Sequence, residues 1–98
     1  MNPKKLMKDL QAAQDRLTKE LQEARVTASA GGDMVTATVN GGKEIVALKI
    51  DPEVVNKDDV DMLQDLIVAA IKEAQRRADE AVQQKIGAMS AGFNIPGM

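Results

Sequence analysis

The chain has no His and no Cys, so the commonest general base and the commonest thiol nucleophile are both missing. Ser29 and Ser90 have no partner motif, and Thr27, Thr36 and Thr38 recur at strand spacing. Nothing here builds the nucleophile, base and orienting group that acyl or group transfer needs. Asp58, Asp59, Asp61 and Asp65 supply oxygens that a hard cation could use. They lack the alternating ligand positions and central Gly of a calcium loop, and read as acids dressing a helix start. Gly31–Gly32 and Gly41–Gly42 lack the further Gly or Lys of a phosphate loop and lead into no helix, so they are turns. The cations remain. Lys4, Lys5 and Lys8 crowd the N-terminus, and Arg76–Arg77 stand among Glu73, Asp79 and Glu80. An ammonium needs only proximity to attract a phosphate. A solvated helix face is the other reading of the lysines, and intrahelical ion pairs the other reading of the arginines. The net charge of −2 argues against a nucleic-acid binder on charge alone.

Two helices must carry these cations. In residues 3–24, Leu6, Leu10, Ala13, Leu17, Leu21 and Ala24 recur at three- and four-residue steps. Lys4, Lys5, Lys8, Arg16 and Lys19 fall on the opposite side. Asn2 fits the N-cap, and Pro3 fits the first helical position, where a missing N–H costs nothing. Three lysines in the first turns oppose the helix dipole, so stability does not explain them. The second helix spans about 57–86. Its stripe of Leu63, Leu66, Ile67, Ala70, Ile71, Ala74, Ala78, Ala81 and Val82 passes from large residues to alanines. The small half suits a closely packed neighbouring helix. Asn56, Asp58 and Asp59 offer its N-cap, and Gly87 marks its stop.

Between the helices lie three strands, about 25–30, 34–39 and 44–50. Gly31–Gly32–Asp33 and Asn40–Gly41–Gly42 separate them, the latter supplying residues that tolerate positive φ. Val35, Ala37 and Val39 share one face with Val46, Leu48 and Ile50, whether the second loop has two or four residues. The other face is mixed, with Met34, Ile45 and Ala47 among threonines and Lys49. Asp51–Pro52 ends the last strand. The order is helix, three antiparallel strands, helix: an α+β fold in one domain over 1–87. Residues 88–98 show no periodicity and read as a mobile tail.

The core is small: hydrophobic residues make up 44% of the chain, but Phe93 is the lone aromatic. Such a core favours self-association. The long helix overhangs the sheet, which makes an obligate homodimer the expectation, with Met34, Ile45 and Ala47 as its patch. The lack of Cys points to the cytosol. No apolar run spans a bilayer, and the N-terminus lacks the apolar core of a signal peptide.

Val39–Asn40–Gly41–Gly42, Leu48–Lys49–Ile50–Asp51–Pro52 and Met62–Leu63–Gln64–Asp65–Leu66 occur in that order. Ala69–Ala70, Ala74 and Arg76–Arg77 follow, then Ser90–Ala91–Gly92 and Pro96–Gly97, with Leu6–Met7 and its Lys neighbours at the start. Taken together, these resemble the YbaB/EbfC family of small bacterial nucleoid-associated proteins across nearly the whole chain. The resemblance implies an α-β-β-β-α subunit, a tweezer-like homodimer in the nucleoid, and binding of double-stranded DNA with little or loose sequence preference. It implies no enzymatic activity and no cofactor; no metal, small-molecule substrate or membrane is expected beside it. By position, it assigns DNA contact to Lys4, Lys5, Lys8 and Arg16 in the first helix and to Arg76, Arg77 and Lys85 in the second. The competing reading is a dimeric protein–protein interaction module that does not touch DNA directly.

Overall fold

The structure, a computed structural model, describes residues 2–91, with side chains through Gly87. The first helix, α1, is Pro3–Glu23. Asn2 caps it by accepting the Lys4 N–H at 3.0 Å, with Pro3 in the first turn, as the sequence requires. At the other end Arg25 donates to the carbonyls of Gln22 at 2.7 Å and Ala24 at 2.8 Å. A cation there satisfies carbonyls that have no partner within the helix. No residue of α1 is buried.

The strands β1 (Val26–Ala30), β2 (Val35–Val39) and β3 (Ile45–Ile50) form an antiparallel sheet in the order β1-β2-β3. Ala37 pairs with Leu48 and Val35 with Ile50, so the expected alignment holds for these two residues, whereas Val39 meets Ile45, which was expected on the other face, and not Val46. Thr38 pairs with Ala47 but Val39 with Ile45, so Val46 is an extra residue in β3, forming a bulge. Gly31, Gly32 and Asp33 all take positive φ in the first turn. The second turn differs from expectation: its positive-φ residue is Lys43, at 67°, rather than Gly41 or Gly42. Asn40 explains how a lysine is held there. Its buried side chain accepts the N–H groups of Gly42 and Glu44, both at 2.9 Å, and donates to Glu44 Oε1 at 3.0 Å. Gly41 is needed for closeness instead. Its N–H donates to Leu21 O at 2.8 Å, and a Cβ on it would lie 3.1 Å from Leu21 Cα.

After a 3-10 turn at Pro52–Val54, the second helix, α2, runs Val60–Ala91. It starts later than residue 57 because Asp59 is the cap, accepting the Met62 N–H at 3.2 Å. Asn56 instead closes a preceding turn onto the Asp58 N–H at 2.9 Å. The helix passes through Gly87, where a glycine costs about 1 kcal/mol, too little to end a long helix. Of the expected tail over 88–98, the backbone is helical through Ala91, and residues 92–98 lie outside the described residues.

The core is Ala28, Val35, Ala37, Val39, Val54, Ala70, Ala74 and Ala78. The alanines of α2 were expected to meet another helix. Ala70 and Ala74 instead lie in the cluster formed with β1 and β2, fully removed from solvent. Their missing side-chain bulk brings the helix backbone close to the sheet. From Leu66, within contact of Gly31, to Arg77, bonded to Thr27 O, α2 lies across β1 and β2, and Gln75 Nε2 reaches the Lys43 carbonyl at 3.2 Å. That leaves β3 uncovered: Ile45, Val46 and Leu48 are 51%, 42% and 41% exposed. Met34 packs against the core, so the apolar surface left open lies on β3, where Ile45 and Leu48 pair with Val39 and Ala37 of the core face. No helix of the described residues is long and apolar enough to cross a membrane.

Candidate nucleic-acid interface

The seven cations singled out by sequence fall into two groups. Lys4, Lys5, Lys8 and Arg16 lie on α1, all exposed and, among the described residues, in no ion pair. Lys4, Lys5 and Lys8 share one shallow concavity with Asn2, Met7 and Gln11. The helix positions them: residues three and four apart stack on one side, and the Asn2 cap fixes the first turn. Arg16 lies two turns further down, about 12 Å from Lys8 along the axis.

The cations of α2 are occupied. Arg76 is paired with Glu73 and with Glu80. Arg77 bonds Glu73 Oε1 at 3.2 Å and donates to the Thr27 carbonyl at 3.2 Å. Lys85 reaches Glu20 on α1 at 2.7 Å. These pairs set the local titration. The Arg76 guanidinium, followed by Arg77, holds the Glu73 carboxyl at about 2, against an ordinary 4.5, despite an opposing desolvation. The Lys85 hydrogen bond pulls Glu20 below its ordinary value, and Glu73 raises Arg76 further. The intrahelical pairs Glu73–Arg77 and Arg76–Glu80 were legible in the sequence; the contacts to Thr27 and Glu20 were not, because both are long-range.

The structure brings Lys85 and Arg16 to the same carboxylate, Glu20, but leaves the lysine tip apart from the cations of α2. Gly41 anchors α1 at Leu21, and Lys8 is about 20 Å from that point along the helix. Between α1 and α2 lies an apolar groove of about 410 Å³, lined by Leu17, Leu21, Val26, Ala81, Val82 and Ile86, with Glu20 and Lys85 also lining it. Among the described residues no group of acids could hold a metal ion. A tip of ammonium groups, unpaired among the described residues, projects from a helix whose base is bonded to the rest of the fold.

Residues 1–93 match the model of the YbaB/EbfC DNA-binding family. A nucleoid-associated protein of Alkaliphilus metalliredigens is 46% identical, covering 99% of this chain and 88% of the relative. One of Clostridium novyi is also 46% identical, over 100% of this chain and 89% of the relative. One of Rhodococcus jostii is 48% identical, over 95% and 81% respectively. A crystal structure of an uncharacterized Helicobacter pylori protein has a TM-score of 0.66 at 23% identity, covering 86% of this chain and 98% of that one. That last likeness supports the fold alone.

Proposed function

This chain belongs to the YbaB/EbfC DNA-binding family, and from that premise we propose that it is a nucleoid-associated protein. It binds double-stranded DNA as a homodimer with little sequence preference and contributes to chromosome organisation in the bacterial cytoplasm. The observation that carries this reading is the tip of α1. Lys4, Lys5 and Lys8 oppose the helix dipole and pair with no acid among the described residues. Phosphate contact gives them a purpose, and such contacts position a protein without reading bases. Arg16 extends the same helix toward its base. Arg76, Arg77 and Lys85 can join only by giving up the pairs described above.

The homodimer is proposed to form at β3. An edge strand with exposed Ile45, Val46 and Leu48 offers unpaired backbone groups and apolar area to a second copy. Two copies present two tips, so weak contacts act together when both reach one duplex. The chain's charge of −2 doubles in the dimer, so attraction is local, and binding is modest and salt-sensitive. Neither catalysis nor a cofactor enters this reading.

The test is fluorescence anisotropy on two unrelated duplexes at low and moderate salt, beside sedimentation equilibrium without DNA. Similar affinities on both duplexes that fall together with salt are expected. A dimer with no affinity for either duplex at low salt would overturn the DNA reading in favour of a protein-interaction module. A folded monomer at micromolar concentration would overturn the dimer.

A further inference from the structure

The sheet has two edges, and they are treated differently. At β1, α2 packs over the strand and its neighbour β2, and Arg77 donates from Nη1 to the Thr27 carbonyl at 3.2 Å across fifty positions of sequence. Glu73 holds that guanidinium from one turn earlier at 3.2 Å. β1 has β2 on one side only, so Arg77 stands where another strand would make its hydrogen bonds. At β3, among the described residues, no side chain bonds the strand's own backbone, and three large apolar residues are open. An unguarded edge is a template for another chain.

We propose that the Glu73–Arg77 pair closes the β1 edge, so that a second copy of this chain can add to the sheet only at β3 and assembly stops at two. With both edges open, each added copy would present a fresh edge, and a contact that does not close on itself grows into an open chain. Arg77 is in this view a guard of the sheet rather than a DNA contact. Arg76, one position away, pairs with Glu73 and Glu80 within α2 and bonds no strand, so it is the natural control.

The claim rests on the reading that the chain self-associates through β3, and one experiment separates the two. Sedimentation velocity without DNA follows the weight-average mass of the parent, Arg77→Ala, Arg77→Lys and Arg76→Ala over a hundredfold range of concentration, with circular dichroism confirming helix content. A parent of constant dimer mass is expected. Arg77→Ala should rise to at least about twice that mass at the highest concentration, and Arg76→Ala should match the parent. Arg77→Lys, which keeps the charge but not the planar fork, should fall between them. Adding Thr27→Lys to Arg77→Ala should restore a finite species, because an edge lysine blocks strand addition. A well-folded Arg77→Ala at parent mass overturns the guard. So does a mass increase of equal size in Arg76→Ala, which would trace the effect to a weakened helix. Should Arg77→Ala fail to fold, Arg77→Lys decides: parent mass at every concentration overturns the proposal. A monomeric parent defeats the dimer reading, whereas growth in Arg77→Ala still reports on β1.

Discussion

Replacing Lys4, Lys5 and Lys8 together with Gln tests the interface most directly. The change makes each chain three charges more negative than its −2 and leaves the Asn2 cap in place. Folding should not suffer. Each cation in the first turn is unfavourable by about 0.3–1 kcal/mol at most, so the variant should melt no lower than the parent. Binding should suffer strongly. Two tips of three lysines neutralise up to about six phosphates, for a slope of log K against log salt of about −5. A fourfold rise in salt then weakens the parent about a thousandfold. The variant should show a slope flatter by several units and a similar loss on every duplex, since backbone contacts carry no base information. Anisotropy titrations across four salt concentrations on two unrelated duplexes, with sedimentation confirming the dimer, measure all of this. A slope changed by less than about one unit, with affinity at the parent value, would refute the reasoning and leave the tip a solvated helix face. A loss confined to one duplex would refute the positioning role.

Gly41→Ala should strain the base of α1, because the added Cβ meets Leu21 O at 3.0 Å and Cα at 3.1 Å. A cost of roughly 1–3 kcal/mol is expected in thermal melts, and an unchanged melting temperature would show that α1 swings aside freely. Glu73 makes stability depend on acid: its carboxyl is held at about 2 when folded, against an ordinary 4.5. Its contribution is therefore complete above about pH 4.5 and lost as pH falls toward about 2. Glu73→Gln should flatten the stability profile in that window, more visibly at low salt because the pairs are exposed; identical acid profiles would count against the pairing. Truncation at Ala88 should shift the melting temperature by less than about 10 °C, and a larger fall would mean that the tail docks.

Much of the fold was legible because the local signals are strong and agree. Asn2–Pro3, Gly31–Gly32–Asp33, Asn40–Gly41–Gly42 and Asp51–Pro52 mark the element ends, and the alternation of Val35, Ala37 and Val39 gives the buried face. Pairing set what was missed. The bulge at Val46 depends on how β3 meets β2, and Asn40 holds Lys43 in a conformation that its own side chain disfavours. Asp59, rather than Asn56, caps α2 because a turn intervenes. The lysine tip was legible because cations at a helix start contradict the dipole. Nothing in the local sequence told that Lys85 would find Glu20 or Arg77 would find Thr27, since those partners lie 65 and 50 positions away.

Gly41's grip on Leu21 makes α1 a lever. The helix has 21 residues and is about 31 Å long, and its backbone is bonded to the rest of the fold near one end. Its lysines sit at the other. A rotation of about 10° at the fulcrum carries them about 3–4 Å, about the rise of one base pair along a duplex strand. The apolar groove beside α1 leaves room for that swing, and the exposed Glu20–Lys85 pair resists it only weakly. On the DNA reading proposed above, small adjustments at the Gly41 turn are thus geared up at the lysine tip.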